Sequence, residues 1–371
     1  MRIRIFSIFV TTVLCMFACN CSKNETPEVK TGTVKVAPSK IDATMDAAVY
    51  ELNLTADCEW GIAVEDKSWV SVSPSGGLSG TSTVKVKVEK NGTFKERSTT
   101  IVINYPSSSI SIPIVQDCEK VDDSIKAPEG YTLIWHDEFN EGNVPSNQWR
   151  HEVQNSGWVN NELQNYRNGT ADGKRVTEVK DGTLRINCFK GSDGKIYSGR
   201  IYACEDPGIK YGYIEARIKL PKGKGTWPAF WMMPCKVDWA NEGWPKCGEI
   251  DIMEEVGCVP NEVSSSLHAE GHNHTNNTQV TKAVTIKNAE GEFHTYAIEW
   301  TEQNITTYVD GAKLLSYNND GKGVRNWPYS KEYYIILNLA WGGSWGGMKG
   351  VDANALPVTM EVDYVRVFQK L

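Results

Sequence analysis

Along most of its length the chain alternates apolar and polar residues with a period of two, and no window sustains a period of 3.6. Thr83-Val84-Lys85-Val86-Lys87-Val88 puts three valines on one face and two lysines on the other. Ile214, Ala216, Ile218 and Leu220 alternate with Glu215, Arg217 and Lys219 in the same way. Successive side chains of a strand point to opposite faces, whereas an amphipathic helix repeats its apolar residues at i, i+3, i+4 and i+7. The chain is therefore expected to be all-β. Its 371 residues exceed one ordinary domain of roughly 150, so more than one β module is expected.

Two modules are legible. Residues 31–120 form a series of short alternating runs, with a turn-rich stretch at Ser71 to Gly80 and strands at Thr100 to Asn104 and Ile110 to Val115. This spacing predicts a small antiparallel sandwich of about 90 residues. A polar linker, Asp122 to Glu129, contains Pro128. From 128 to 371 the composition changes, because eleven of the 13 Trp lie between Trp135 and Trp345. Asn304 to Tyr317 is broken by Asp310-Gly311, a hairpin signal, and Tyr333 to Ala340 and Thr359 to Phe368 read as further strands. A second, larger all-β sandwich is expected there.

The N-terminus reads as an address. Arg2 and Arg4 precede a short apolar stretch, Ile5 to Ala18, so residues 1–18 have the pattern of a secretory signal. Phe17-Ala18-Cys19 resembles a bacterial lipoprotein signal, which implies lipidation of Cys19. Cys21 is the weaker alternative, since Asn20 precedes it. Residues 19–30 then form a tether, and the expectation is an exported monomer anchored to the outer leaflet of an outer membrane or cell surface. The apolar runs fall short of the roughly 20 residues that span a bilayer, which excludes a polytopic membrane protein. A net charge of −7 argues against a nucleic-acid binder. Seven cysteines follow the signal and tether, an odd number, and none has zinc-ribbon spacing.

Four stretches suggest chemistry. Gly342-Gly343-Ser344-Trp345-Gly346 matches G-x-S-x-G, but that elbow needs a following helix and a later histidine, and the last histidine is His294. Pro221 to Thr226 looks like a phosphate loop, yet Gly225 stands where Ser or Thr should follow Lys224, so it reads as a turn. His268, His272 and His274 would share a face on a continuous strand and suggest a metal. The blander reading is one functional His268 beside a cleft. The fourth stretch is Glu249-Ile250-Asp251-Ile252-Met253-Glu254. On a strand, Glu249 and Asp251 share one face while Ile250 and Ile252 enter the core. Glu254 joins that face only if one extra residue is inserted near Met253, as in a β-bulge. Three clustered carboxylates raise at least one pKa, as a general acid requires. Set among tryptophans, on which sugar rings stack, they fit glycoside hydrolysis.

At these residues the chain resembles a known family. Trp135-His136-Asp137-Glu138-Phe139, Asn160-Asn161-Glu162-Leu163-Gln164, Ser198-Gly199-Arg200-Ile201, Trp227-Pro228-Ala229-Phe230-Trp231 and Glu249 to Glu254 look like glycoside hydrolase family 16, in its laminarinase-like branch. The resemblance implies a concanavalin-like β-jelly roll with an open cleft, cutting internal bonds of β-glucans with retention and without a catalytic cofactor. It implies Glu249 as nucleophile, Glu254 as acid/base and Asp251 between them. Asn161, Arg200, Trp227 and Trp231 match sugar-holding positions, with His268 and Trp345 as weaker matches. Glu138 and Asp363 match positions of a structural calcium. A galactan hydrolase and a non-catalytic glycan-binding lipoprotein are the competing readings. The first module, through Trp69-Val70-Ser71-Val72-Ser73-Pro74 and Ile114-Val115-Gln116, resembles a BACON module, an immunoglobulin-like sandwich. Its two tryptophans, Trp60 and Trp69, read as core, which favours a spacer over a sugar binder.

Overall fold

Strand after strand in the computed structural model follows the period-of-two pattern. The model describes residues 32–92, 96–106, 108–118 and 124–370. The expected signal peptide, the lipidated Cys19 and the tether lie outside the described residues. The chain divides into two compact units, one ending at Asp117 and the other running from Cys118 to the C-terminus.

The first unit is a sandwich of two sheets. One has the strand order Val34–Ala37, Ala48–Ala56, Gly80–Val88 and Val70–Ser73. The other runs Ile41–Ala43, Ser108–Gln116, Arg97–Tyr105, Trp60–Val64 and Gly76–Gly77. Val84, Val86 and Val88 are fully buried, while Lys85 and Lys87 face solvent. Each such valine contributes about 1.5–3 kcal/mol by leaving water. Both tryptophans belong to this core. Trp60 donates its indole N–H to the Leu78 carbonyl, and Trp69 donates to Asp66 under the Arg97 guanidinium. Neither ring offers an open face for a sugar.

The second unit packs a ten-stranded sheet against a seven-stranded one. The ten-stranded sheet centres on Val358–Gln369, Gly212–Lys219 and His294–Trp300. Gly212–Lys219 alternates strictly between buried and half-buried residues. The Asp310-Gly311 turn has both residues at positive φ, as a two-residue hairpin of type I′ requires. The seven-stranded sheet is antiparallel, in the order Arg150–His151, Arg200–Ala203, Tyr333–Trp341, Thr226–Pro234, Glu249–Glu255, Glu262–His268 and Val280–Thr285. One of its faces is the core and the other carries the site.

Two features depart from expectation. Ile125 lies within the stretch read as an exposed linker, yet it is buried against Leu133, Phe368, Tyr131 and Tyr213. An isoleucine with an apolar partner surface stays out of water even in a polar segment. The G-x-S-x-G stretch contains one helical turn, Gly343–Gly346, where no helix was expected. All seven cysteines from Cys58 onward are free thiols, with Cys188, Cys235 and Cys247 buried. Among the described residues no helix is long and apolar enough to cross a membrane.

Candidate active site

The acidic strand Glu249–Glu255 starts where only glycine fits. Gly248 has φ +88°, and a Cβ there would sit 2.4 Å from the Tyr333 hydroxyl and 2.7 Å from the Pro328 ring. Past this turn, Glu249 pairs with His268 and Asp251 with Ser266 on the neighbouring strand. The register then slips, so that Glu254 pairs with Ser264 and two residues, Ile252 and Met253, stand opposite Ser265 alone. A second irregularity lies on the other side, between Phe230 and Trp231. The spacing of the acids demanded an inserted residue near Met253, and the bulge supplies it. Ile250, Ile252 and Met253 are fully buried, and the Ser265 hydroxyl donates to the Ile252 carbonyl at 2.6 Å.

Glu249, Asp251 and Glu254 all line a cavity of about 650 Å³. Glu249 and Glu254 also line an adjoining one of about 490 Å³. Asp251 is hydrogen-bonded to Glu249. His268 Nε2 lies 3.1 Å from Asp251 Oδ2 and 3.9 Å from Glu249 Oε1. The Trp227 indole N–H donates to Glu254 Oε1 at 2.9 Å. Burial lifts all three carboxyls above the ordinary carboxylate range. The charge of Asp251 lifts Glu249 further, against the opposing His268. At Glu254 the Trp227 N–H and His268 oppose burial. The crowded, buried set therefore keeps protons that isolated carboxylates would release, which a general acid near neutral pH requires.

The walls are aromatic. Trp227 and Trp231 stand on Thr226–Pro234, and Trp345, on the single helical turn, meets Trp227 edge-on at 5.4 Å. The Arg200 guanidinium is held between the rings of Trp158 and Trp231, at 5.0 and 4.7 Å. Asn160, rather than Asn161, lines the cavities. Asn161 turns away and donates its amide to Ser344 Oγ at 3.2 Å. Ser344 in turn donates to the Asn160 carbonyl at 2.9 Å, so it fastens a loop and faces no base.

The cavity is also lined by Trp158, Glu162, Trp239, Trp244, His274 and Asn338, beyond the site residues expected from sequence. Asn338 was detectable, as the one amide in the apolar run Tyr333–Trp341. Glu162 stands in the Asn160–Gln164 motif and His274 among the clustered histidines, but neither pattern by itself points to the cleft. The three histidines do not form a metal set. The strand ends at His268, the chain reverses through an Ala269–His272 bridge, His272 turns to the Tyr329 hydroxyl at 3.2 Å, and His274 stacks on Trp244.

The calcium expectation also meets a correction. Both oxygens of Glu138 accept from the Arg366 guanidinium, at 2.9 and 2.8 Å, and one also meets His136. Asp363 accepts from Arg217 at 2.6 Å. A dication bound through these carboxylates would have to displace an arginine from each. The side-chain set does not fit the metal.

Comparison with known proteins accords with this geometry. The profile of glycosyl hydrolases family 16 matches residues 163–366, and that of BACON matches 59–117. A beta-glucanase of Rhodothermus marinus is 38% identical over 256 residues, covering 67% of this chain and 88% of its own. Glucan endo-1,3-beta-glucosidase A1 of Niallia circulans is 35% identical over 291 residues, covering 70% of this chain but 41% of its own length. The solved laminarinase of Rhodothermus marinus superposes with a TM-score of 0.61 at 36% identity, over 64% of this chain and 97% of its own. The family profile spans more than half of the chain and the first of these relatives is matched over most of its length, so the chain belongs to glycosyl hydrolases family 16.

Proposed function

We propose that the protein is an endo-acting hydrolase of β-glucans, of β-1,3 or mixed β-1,3/1,4 linkage, working by double displacement. The observation that carries this is the bulged strand, which turns Glu249 and Glu254 into one cleft that continues on both sides of them. A cleft continuous past the acids accepts the middle of a polymer, so cleavage is internal. Glu249 attacks the anomeric carbon while Glu254 gives its proton to the departing oxygen, leaving a glycosyl-enzyme ester on Glu249. Glu254, now ionised, takes a proton from water, which attacks the same carbon and frees Glu249. Asp251, hydrogen-bonded to Glu249 and facing His268, positions the Glu249 carboxyl for attack.

The test is digestion of laminarin and of cereal β-glucan with sizing of the early products. A ladder of medium oligosaccharides from either glucan is expected. Digestion of agar or carrageenan alone would replace glucan by galactan in this reading, and binding without cleavage of any of them would remove the enzyme.

The Trp227–Glu254 hydrogen bond gives a directional prediction. The indole N–H favours the ionised carboxylate, so its loss raises the Glu254 pKa. In Trp227→Phe the alkaline limb of the kcat/KM profile is expected to move up by about one pH unit, the scale of one hydrogen bond to a charge. A limb that stays put or moves down would detach Glu254 from that limb. We further propose that the chain is exported and anchored through a lipid on Cys19. Radiolabelled palmitate should enter the wild-type protein in native cells and not Cys19→Ser.

A further inference from the structure

Glu162 is a buried carboxylate that the reaction above leaves without a task. It is 7% exposed and lies at the edge of the larger cavity. Its Oε1 accepts from the Asn160 amide at 3.2 Å. Its Oε2 accepts from the Gln164 amide at 2.6 Å and from the Tyr166 hydroxyl at 3.3 Å. Tyr166, fully enclosed, accepts from the Asn338 amide at 3.2 Å, and Asn338 Oδ1 accepts from the Trp231 indole N–H at 2.7 Å.

The polarity of this chain is forced from both ends. An indole N–H only donates, so Asn338 must turn its oxygen to Trp231 and its NH₂ to Tyr166. Tyr166 then has its own proton to place, and Glu162 Oε2 receives it. At the other end, Gln164 Oε1 accepts from the backbone N–H of Trp341 at 2.8 Å, which leaves its NH₂ pointing at Glu162. Both oxygens of Glu162 therefore face donors. An ionised carboxylate satisfies that arrangement, and an amide in either orientation places NH₂ against a donor.

We infer that Glu162 is a positioning residue, which fixes the Trp231 indole in the cleft through Tyr166 and Asn338. Trp231 also carries the Arg200 guanidinium on its ring, so one buried acid sets the orientation of two groups on the same wall. The kinetic part of this inference rests on the glucan reading and on Trp231 as a sugar platform. The structural part does not.

Two measurements test it. In the first, the Trp231 indole N–H signal is located in ¹H–¹⁵N spectra by its loss in Trp231→Phe, with no substrate present. Tyr166→Phe, which keeps the ring and its packing, and Glu162→Gln are both expected to move that signal toward the position of an unbonded indole. A signal unmoved in both variants would overturn the relay. In the second, each variant is expected to raise KM for laminarin about fivefold, the scale of one lost hydrogen bond, with kcat within about twofold. In a Trp231→Phe background the same two changes should cost nothing further, because the group they orient is gone. Losses that add in full to that of Trp231→Phe would mean a general structural role, and would overturn the inference. If the wild type leaves laminarin intact, the glucan reading fails, and the spectral arm alone decides the relay.

Discussion

Glu249→Ala is expected to lower kcat on laminarin by a factor on the order of 10⁴ or more, the scale of removing a covalent nucleophile from a hydrolase. Glu254→Ala should lose about 10²–10⁴, the usual weight of a general acid and base. The two losses differ in kind. An activated aryl leaving group needs no protonation, so an aryl glucoside should restore the first step in Glu254→Ala and do nothing for Glu249→Ala. Both variants should remain folded. Indeed, Glu249→Ala removes a buried acid whose pKa burial and the charge of Asp251 raise, so its melting temperature is expected to rise above that of the wild type near neutral pH. Proton NMR of the first-formed sugar checks the assignment directly. A β-anomer is expected from retention, and an initial α-anomer would remove Glu249 from the role of nucleophile.

Glu255→Gln is expected to make the catalytic module markedly more stable at pH 8 while changing little at pH 5. Glu255 follows Glu254 but points into the core and is fully buried. Its Oε1 accepts from the Asn261 backbone N–H at 2.7 Å, and its Oε2 has no partner. Burial, helped by the nearby Glu290, pushes its pKa up from 4.5 to about 8. Below 4.5 both the folded and unfolded chains keep the proton. Between 4.5 and about 8 the unfolded chain releases it and the folded chain retains it, so stability falls with rising pH, by about 1.4 kcal/mol per unit. Above 8 the penalty levels off. A neutral amide does not titrate, so the gap between variant and wild type should open across that window to about 4 kcal/mol, or on the order of 10 °C in melting temperature. Calorimetric melts at both pH values measure it. A gap of the same size at pH 5 and pH 8 would show that Glu255 does not hold a proton in the folded state.

The two modules, their all-β character and the face shared by the three acids were legible from residue order, because each rests on a local regularity. Alternation of period two is a property of the backbone itself. Val84, Val86 and Val88 enter the core whichever strands they meet, and Asp310-Gly311 turns the chain wherever it lies. Even the bulge in Glu249–Glu255 was required by spacing alone, since Glu254 has no other way onto the face of Glu249. What encloses the acids was decided only by strand order and register. The cleft floor places Tyr333–Trp341 between Arg200–Ala203 and Thr226–Pro234, an order that skips more than a hundred residues of sequence. That crossing is what lets Asn338 reach both Trp231 and Tyr166, the latter 172 positions away. Other pairings set His268 against Asp251, bury Ile125 in the supposed linker against Leu133 and Phe368, and give Glu138 to Arg366 instead of a calcium ion. A side chain's preferred face is set within a few residues, but its partner is whichever group the sheet brings opposite, and hydrogen bonds and ion pairs are fixed by that meeting.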